Sequence, residues 1–346
     1  MLRRLYGQLP NYARPDHPVM RYLLLRDGRR TTRGRQIFRL ALFIGLIVGL
    51  PLVGWLIATR LGSSPIETQN RFDAIYHILY FPLVGLQVLL RVVAMSTTIG
   101  LIATEERQQT WDTLKITTDG AMLTMKARWA TVFYRLAAFL AIVTAVRVLF
   151  VGIALYDLTT FQGRYVDLLL SGTVPLGGLS REAAQSTGVP IGVVIISLGM
   201  TAALLAPFTA VAFDAAFGML IGTFARGKMS GTLGQFGLVL LRILITGAAL
   251  LVGATALGLS PISAMTGGLS ETSQPILGWL SIFFALGEGD LGLTALHLPY
   301  VGRMWSDYEY GVFIGAAFLG WVLLQALFAN LFVIWAARRA TRADRI

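Results

Sequence analysis

Long apolar runs broken by short charged stretches set the first expectation, because a helix rising 1.5 Å per residue needs about 20 apolar residues to cross ~30 Å of hydrocarbon. Six runs meet that length: 37–58, 74–103, 129–156, 189–225, 231–259 and 308–337. The pattern predicts an all-α integral membrane protein with six transmembrane helices, one transmembrane domain over residues 1–346. Pro82 predicts a kink in the second run. The fourth run is too long for one straight crossing, and Pro190 and Pro207 predict a broken helix there, crossing from about Ala203 to Ala225. Gly45 and Gly49 form a small-xxx-small pair, which either permits close helix contact or reflects how common glycine is in membrane helices.

The polar stretches carry patterns of their own. Residues 1–36 are a basic amphipathic lead-in. Within it, His17–Asp27 sets Val19, Met20, Leu23 and Leu24 on one helical face between Arg21 and Arg26, as in a helix lying on the cytoplasmic membrane surface. Thr104–Arg128 (TEERQQTWDTLKITTDGAMLTMKAR) must stand outside the bilayer, since Glu105, Glu106, Arg107, Lys115, Lys126 and Arg128 would each be costly in hydrocarbon. Trp111, Leu114, Thr118, Met122, Met125 and Trp129 recur through it at helical spacing. With Asp119-Gly120 as a turn signal, it reads as two short helices, Glu105–Thr117 and Gly120–Arg128, the second capped by Thr118 or Asp119. Residues 260–307 hold two apolar pieces, Ile276–Leu286 and Leu291–Val301, both shorter than a span and separated by Gly287-Glu288-Gly289-Asp290. They suit a re-entrant or interfacial segment in an external region before the last span.

Composition narrows the class. Of 346 residues, 55% are hydrophobic and 14% charged, against about 25% charged in soluble domains, and the mean hydropathy is +0.67. The absence of cysteine excludes disulfides, thiolate metal sites and cysteine nucleophiles. A net charge of +11 could suggest nucleic acid, but the basic residues gather at the ends of apolar runs, where they set topology and meet anionic lipid. Membrane lipid is therefore the expected partner and nucleic acid is not. With the N-terminus inside, 19 of the 29 Lys and Arg fall on cytoplasmic segments, five on external loops and five within spans. That bias puts both termini and Thr104–Arg128 in the cytoplasm. Arginine outnumbers lysine 26 to three, which fits a GC-rich prokaryote and so an inner-membrane location. No cleavable signal peptide is expected, because the first apolar run follows nine Arg and is too long for a signal core.

Candidate chemistry is sparse. Gly222 to Lys228 fits the GxxxxGK half of a P-loop, but Met229 stands where a Mg²⁺-binding hydroxyl is required and a membrane helix precedes it instead of a strand. It reads as a basic turn, and no catalytic residue or metal site is expected; His17, His77 and His297 are scattered. Glu288, Asp290, Asp307 and Glu309 give the outer region some acidity, which fits solvated loop carboxylates better than groups beside an exit path. The intramembrane charges say more. Asp214 and Arg242 lie at matching depths, roughly 18 Å from the turn between adjacent antiparallel helices, which predicts an ion pair, more often a structural staple than a substrate contact. Arg91 and Arg147 lack an acidic partner nearby in sequence and are candidates to line a cavity or to meet a partner subunit. Trp129 reads as an interfacial belt residue; Trp111 reads equally as belt residue or docking anchor.

The amphipathic lead-in, six spans, polar hairpin between the second and third, and re-entrant piece before the sixth together resemble type-two ABC exporter permeases, the fold shared with the G subfamily of ABC transporters. Their hairpin typically has an acidic residue, then Gly-Thr-Leu-Glu-x-Leu, a Thr-Pro and a closing base. Here Glu105 matches the acid, Thr110-Trp111-Asp112 stands at Thr-Leu-Glu, Leu114 at the following Leu, Thr117 at the Thr and Arg128 at the base. Gln109, Thr118 and Leu123 depart from the pattern. The resemblance implies a permease subunit, dimeric with itself or a sister chain. A separate ABC ATPase subunit would bind ATP and Mg²⁺ and push on Glu105, Thr110, Trp111, Asp112, Leu114 and Arg128, and this chain would carry no cofactor. Because of those departures, a non-transporting membrane scaffold that keeps the permease fold stays open beside it.

Overall fold

The computed structural model describes residues 9–28, 33–60, 71–99, 120–160, 189–224, 228–256, 283–288, 293, 296–297 and 313–342. A 3-10 turn, Asn11–Ala13, precedes seven long helices: α1 (Pro18–Gly28), α2 (Arg33–Arg60), α3 (Arg71–Ile99), α4 (Gly120–Thr160), α5 (Val189–Gly222), α6 (Lys228–Ala256) and α7 (Ile314–Arg342). Residues 283–288 add a short helical turn, and no strand occurs among the described residues. Four helices carry stretches long and apolar enough to cross a membrane: Ile78–Ile99, Met122–Tyr156, Ile191–Gly222 and Ile314–Thr341. Shorter apolar stretches lie in α2 (Val48–Ile57) and α6 (Phe236–Ala249). The chain is a multi-pass membrane protein in which helices satisfy their own backbone groups, as hydrocarbon demands.

α5 is the centre of the bundle, packed against α7, α3 and α4; α2 and α6 lean on α3, and the N-terminal turn and α1 lean on α4. The largest core joins Leu83, Leu90, Val143, Phe150, Val211 and Phe318 with Ala285, Leu286, Leu293 and Leu296. Small residues set the closest approaches, as expected where lipid supplies no hydrophobic drive between helices. A methyl at Gly218 would strike the Met95 carbonyl, and one at Gly222 the Ile99 carbonyl, so this Gly-xxx-Gly pair seats α5 on α3. A methyl at Gly45 or Gly49 would meet nothing within 4 Å, so that pair makes no close contact among the described residues.

Several expectations change. α5 is one continuous helix through Pro207, where the sequence predicted a break. Gly120–Arg128 is not a separate short helix: it forms the first turns of α4, which at 41 residues is about 60 Å long. Thr104 to Asp119, with Glu105, Thr110, Trp111, Asp112 and Leu114, lies outside the described residues. The apolar face of the lead-in helix packs on protein, with Met20 and Leu23 buried against Ala127 and Ala130 of α4. The Thr131 hydroxyl reaches the Met20 sulfur at 3.4 Å, and the Tyr134 hydroxyl donates to the Ala13 carbonyl at 2.7 Å. Trp129 donates its indole N–H to the Ala212 carbonyl of α5 at 2.9 Å.

Candidate functional site, a buried four-charge cluster

Two arginines and two carboxylates meet inside the bundle. Arg91 stands eight residues before the end of α3, and Asp214 eight before the end of α5. The glycine-seated register brings them together: Arg91 Nε donates to Asp214 Oδ2 at 2.6 Å. Arg91 Nη2 donates to Glu288 Oε2 at 2.9 Å, and Nη1 lies 3.2 Å from the Glu288 carbonyl and 3.5 Å from that of Gly287. Arg242 of α6 closes the ring, its Nη2 2.5 Å from Glu288 Oε2 and 3.4 Å from Asp214 Oδ2. Arg91 and Asp214 are 1% exposed, Arg242 and Glu288 7%.

Each of these ions alone would cost several kcal/mol to desolvate. Together they sum to zero charge, and the forked guanidinium of Arg91 satisfies two carboxylates and a backbone carbonyl at once, a geometry lysine cannot reproduce. The cluster ties α3, α5 and α6 to the segment carrying Glu288. That segment is held on either side: the Tyr76 hydroxyl donates to the Leu293 carbonyl at 3.0 Å, His297 stacks on the Tyr76 ring at 4.3 Å, and Gly287 lies flat against Trp321 of α7.

Asp214 and Arg242 are thus brought together, but the shortest contact of Asp214 is with Arg91, which sequence reasoning left without an acid. Glu288 is the residue missed. Its sequence context suits a solvated loop carboxylate, yet it is buried between two arginines; the one available signal is the apolar piece Ile276–Leu286 leading straight into it.

Arg147 is fully buried and serves another purpose. Pro207 has no N–H, which leaves the carbonyl four residues back, that of Ala203, without its helical donor. Arg147 Nη1 of α4 donates to that carbonyl at 2.5 Å. Pro82 leaves the Ile78 carbonyl in the same position, and Gly54 of α2 packs directly onto it. Arg91 and Arg147 therefore each bond protein groups inside the bundle. Arg128 is 3% exposed within the chain. Of the P-loop-like stretch, Gly222 ends α5 against α3, the Thr223 hydroxyl bonds the Leu220 carbonyl at 2.6 Å, and Phe224 lies 3.6 Å under the Arg339 guanidinium.

Comparison with protein-family models, with curated proteins and with solved structures found no match.

Proposed function

We propose that the chain is the membrane-spanning permease subunit of an ATP-driven exporter in a prokaryotic inner membrane. It pairs with a second permease chain, and a separate ABC ATPase bears on Thr104–Arg128 from the cytoplasm. The observation that carries this reading is the continuity of α4. It runs from Gly120, inside that polar segment, to Thr160, roughly twice the hydrocarbon thickness. A push on the segment would be delivered along one rod, braced by the N-terminal turn and α1 at its base and by Trp129 and Arg147 to α5 further along. In this reading α2 and α6 complete six crossings with both termini cytoplasmic. The burial of Glu288 against Arg91 and Asp214, eight residues in from their helix ends, favours a segment that dips into the membrane before α7.

The test is co-purification followed by reconstitution. The chain is expected to recover a soluble P-loop ATPase, and Trp111→Ala to weaken that recovery by about tenfold or more, as loss of an aromatic anchor does. Recovery of no ATPase, or labelling of Lys115 only from outside the cell, would sink the proposal.

A further inference from the structure

Beside the four-charge cluster lie polar groups that the chain itself leaves unsatisfied. Gln87 sits one turn before Arg91 on α3 and Thr246 one turn after Arg242 on α6, each on the face its arginine occupies. Gln87 is 1% exposed and Thr246 2%. Among the described residues, neither the amide nitrogen and oxygen of Gln87 nor the hydroxyl of Thr246 has a hydrogen-bond partner, and Asp214 Oδ1, on the cluster's edge, has none either. Several threonines of the bundle avoid this, the hydroxyls of Thr98, Thr131 and Thr144 turning back onto carbonyls of their own helices, whereas on α7 Trp321 Nε1 and Gln325 Nε2 are left in the same state as Gln87 and Thr246.

Helix directions place these groups together. α3 and α5 run parallel, because Arg91 meets Asp214 and Ile99 meets Gly222. α6 begins six residues after α5 ends, and Arg242, 14 residues into it, reaches back to Asp214. α6 is therefore antiparallel to α3, the helix it mainly packs on. Gln87 and Thr246 consequently lie one turn beyond the cluster in the same direction, away from the α5–α6 connection. A dry amide and hydroxyl buried at the same level of two packed helices would penalise the fold without return.

We propose that α3 and α6 enclose a polar subsite, bounded on one side by the cluster, that binds a small neutral hydrogen-bonding group through Gln87 and Thr246. The cluster's two positive and two negative charges already cancel, so an ion placed here would have no counter-charge, whereas a neutral donor–acceptor is matched by an amide and a hydroxyl. Two sources share that chemistry: water, and the hydroxyl of an amphiphile. This subsite lies within one chain and does not depend on the transport reading.

The chain has no cysteine, so Gln87→Cys and Thr246→Cys each create a sole thiol in the full-length protein. A thiol reacts as its thiolate, which forms only where water reaches it. In membrane vesicles, both variants are expected to be modified by methyl methanethiosulfonate about tenfold or more faster than Leu90→Cys and Val143→Cys, two buried apolar positions. Slowing of the reaction by 1-octanol but not by octane assigns the subsite to an amphiphile hydroxyl; no slowing by either assigns it to water. Rates equal to those of the apolar positions would overturn the proposal. Melting provides an independent reading should a cysteine variant fold poorly. Thr246→Val and Gln87→Leu are expected to lower the midpoint, because they strip partners from an occupant; a raised midpoint for both would mean that the space is dry and the inference wrong.

Discussion

Arg91→Met is expected to cost the folded protein about 3–5 kcal/mol, the range for breaking a buried ion pair by removing one partner. Arg91 gives both carboxylates their well-aligned hydrogen bonds, at 2.6 and 2.9 Å. Without it, Asp214 and Glu288 share Arg242 alone and the core carries one uncompensated negative charge. Thermal unfolding in detergent should show a large drop in midpoint. Arg91→Lys should also fall short of wild type, since an ammonium cannot span the same acceptors. The sharper check is Arg91→Met with Glu288→Gln: this pair restores neutrality and should melt above Arg91→Met alone. If Arg91→Met melts like wild type, the cluster is not holding these elements together.

The second large effect is expected at Arg147, and it comes with its own rescue. Arg147→Met removes the donor to the Ala203 carbonyl, and a buried carbonyl left unpaired costs about 1–3 kcal/mol. Pro207→Ala restores the missing backbone N–H, so in the Arg147→Met background it should recover part of that loss and stabilise more than it does in wild type. A cycle of the two single variants and the double, read by midpoint, measures the difference. Equal effects of Pro207→Ala in both backgrounds would show that the arginine and the proline are not linked through that carbonyl.

The helices were legible because hydrocarbon leaves the backbone few choices: an apolar run of sufficient length must become a helix. Partner choice was not legible, because it is decided across the fold. Met20 and Leu23 make the same amphipathic stripe whether they meet lipid or the alanines of α4. Gly45 and Gly49 have the same spacing as Gly218 and Gly222, yet among the described residues only the second pair lies under a neighbouring helix. Pro207 reads as a breaker in isolation, and the arginine that satisfies its orphaned carbonyl sits 60 residues away on another helix. Equal depth on adjacent helices brought out Asp214 with Arg242, because the short connection fixes their register. Arg91 and Glu288 are separated by nearly 200 residues, and no local pattern marks a carboxylate flanked by glycines as buried.

The most direct test of the central claim, that one neutral cluster locks α6 and the Glu288 segment onto α3 and α5, is a double-mutant cycle on Arg242→Gln and Glu288→Gln. Unfolding free energies of wild type, both single variants and the double should yield a coupling of about 1 kcal/mol or more, with the double less damaged than the sum of its parts. Additivity to within about 0.3–0.5 kcal/mol would mean that the two residues act independently, and the lock would not exist.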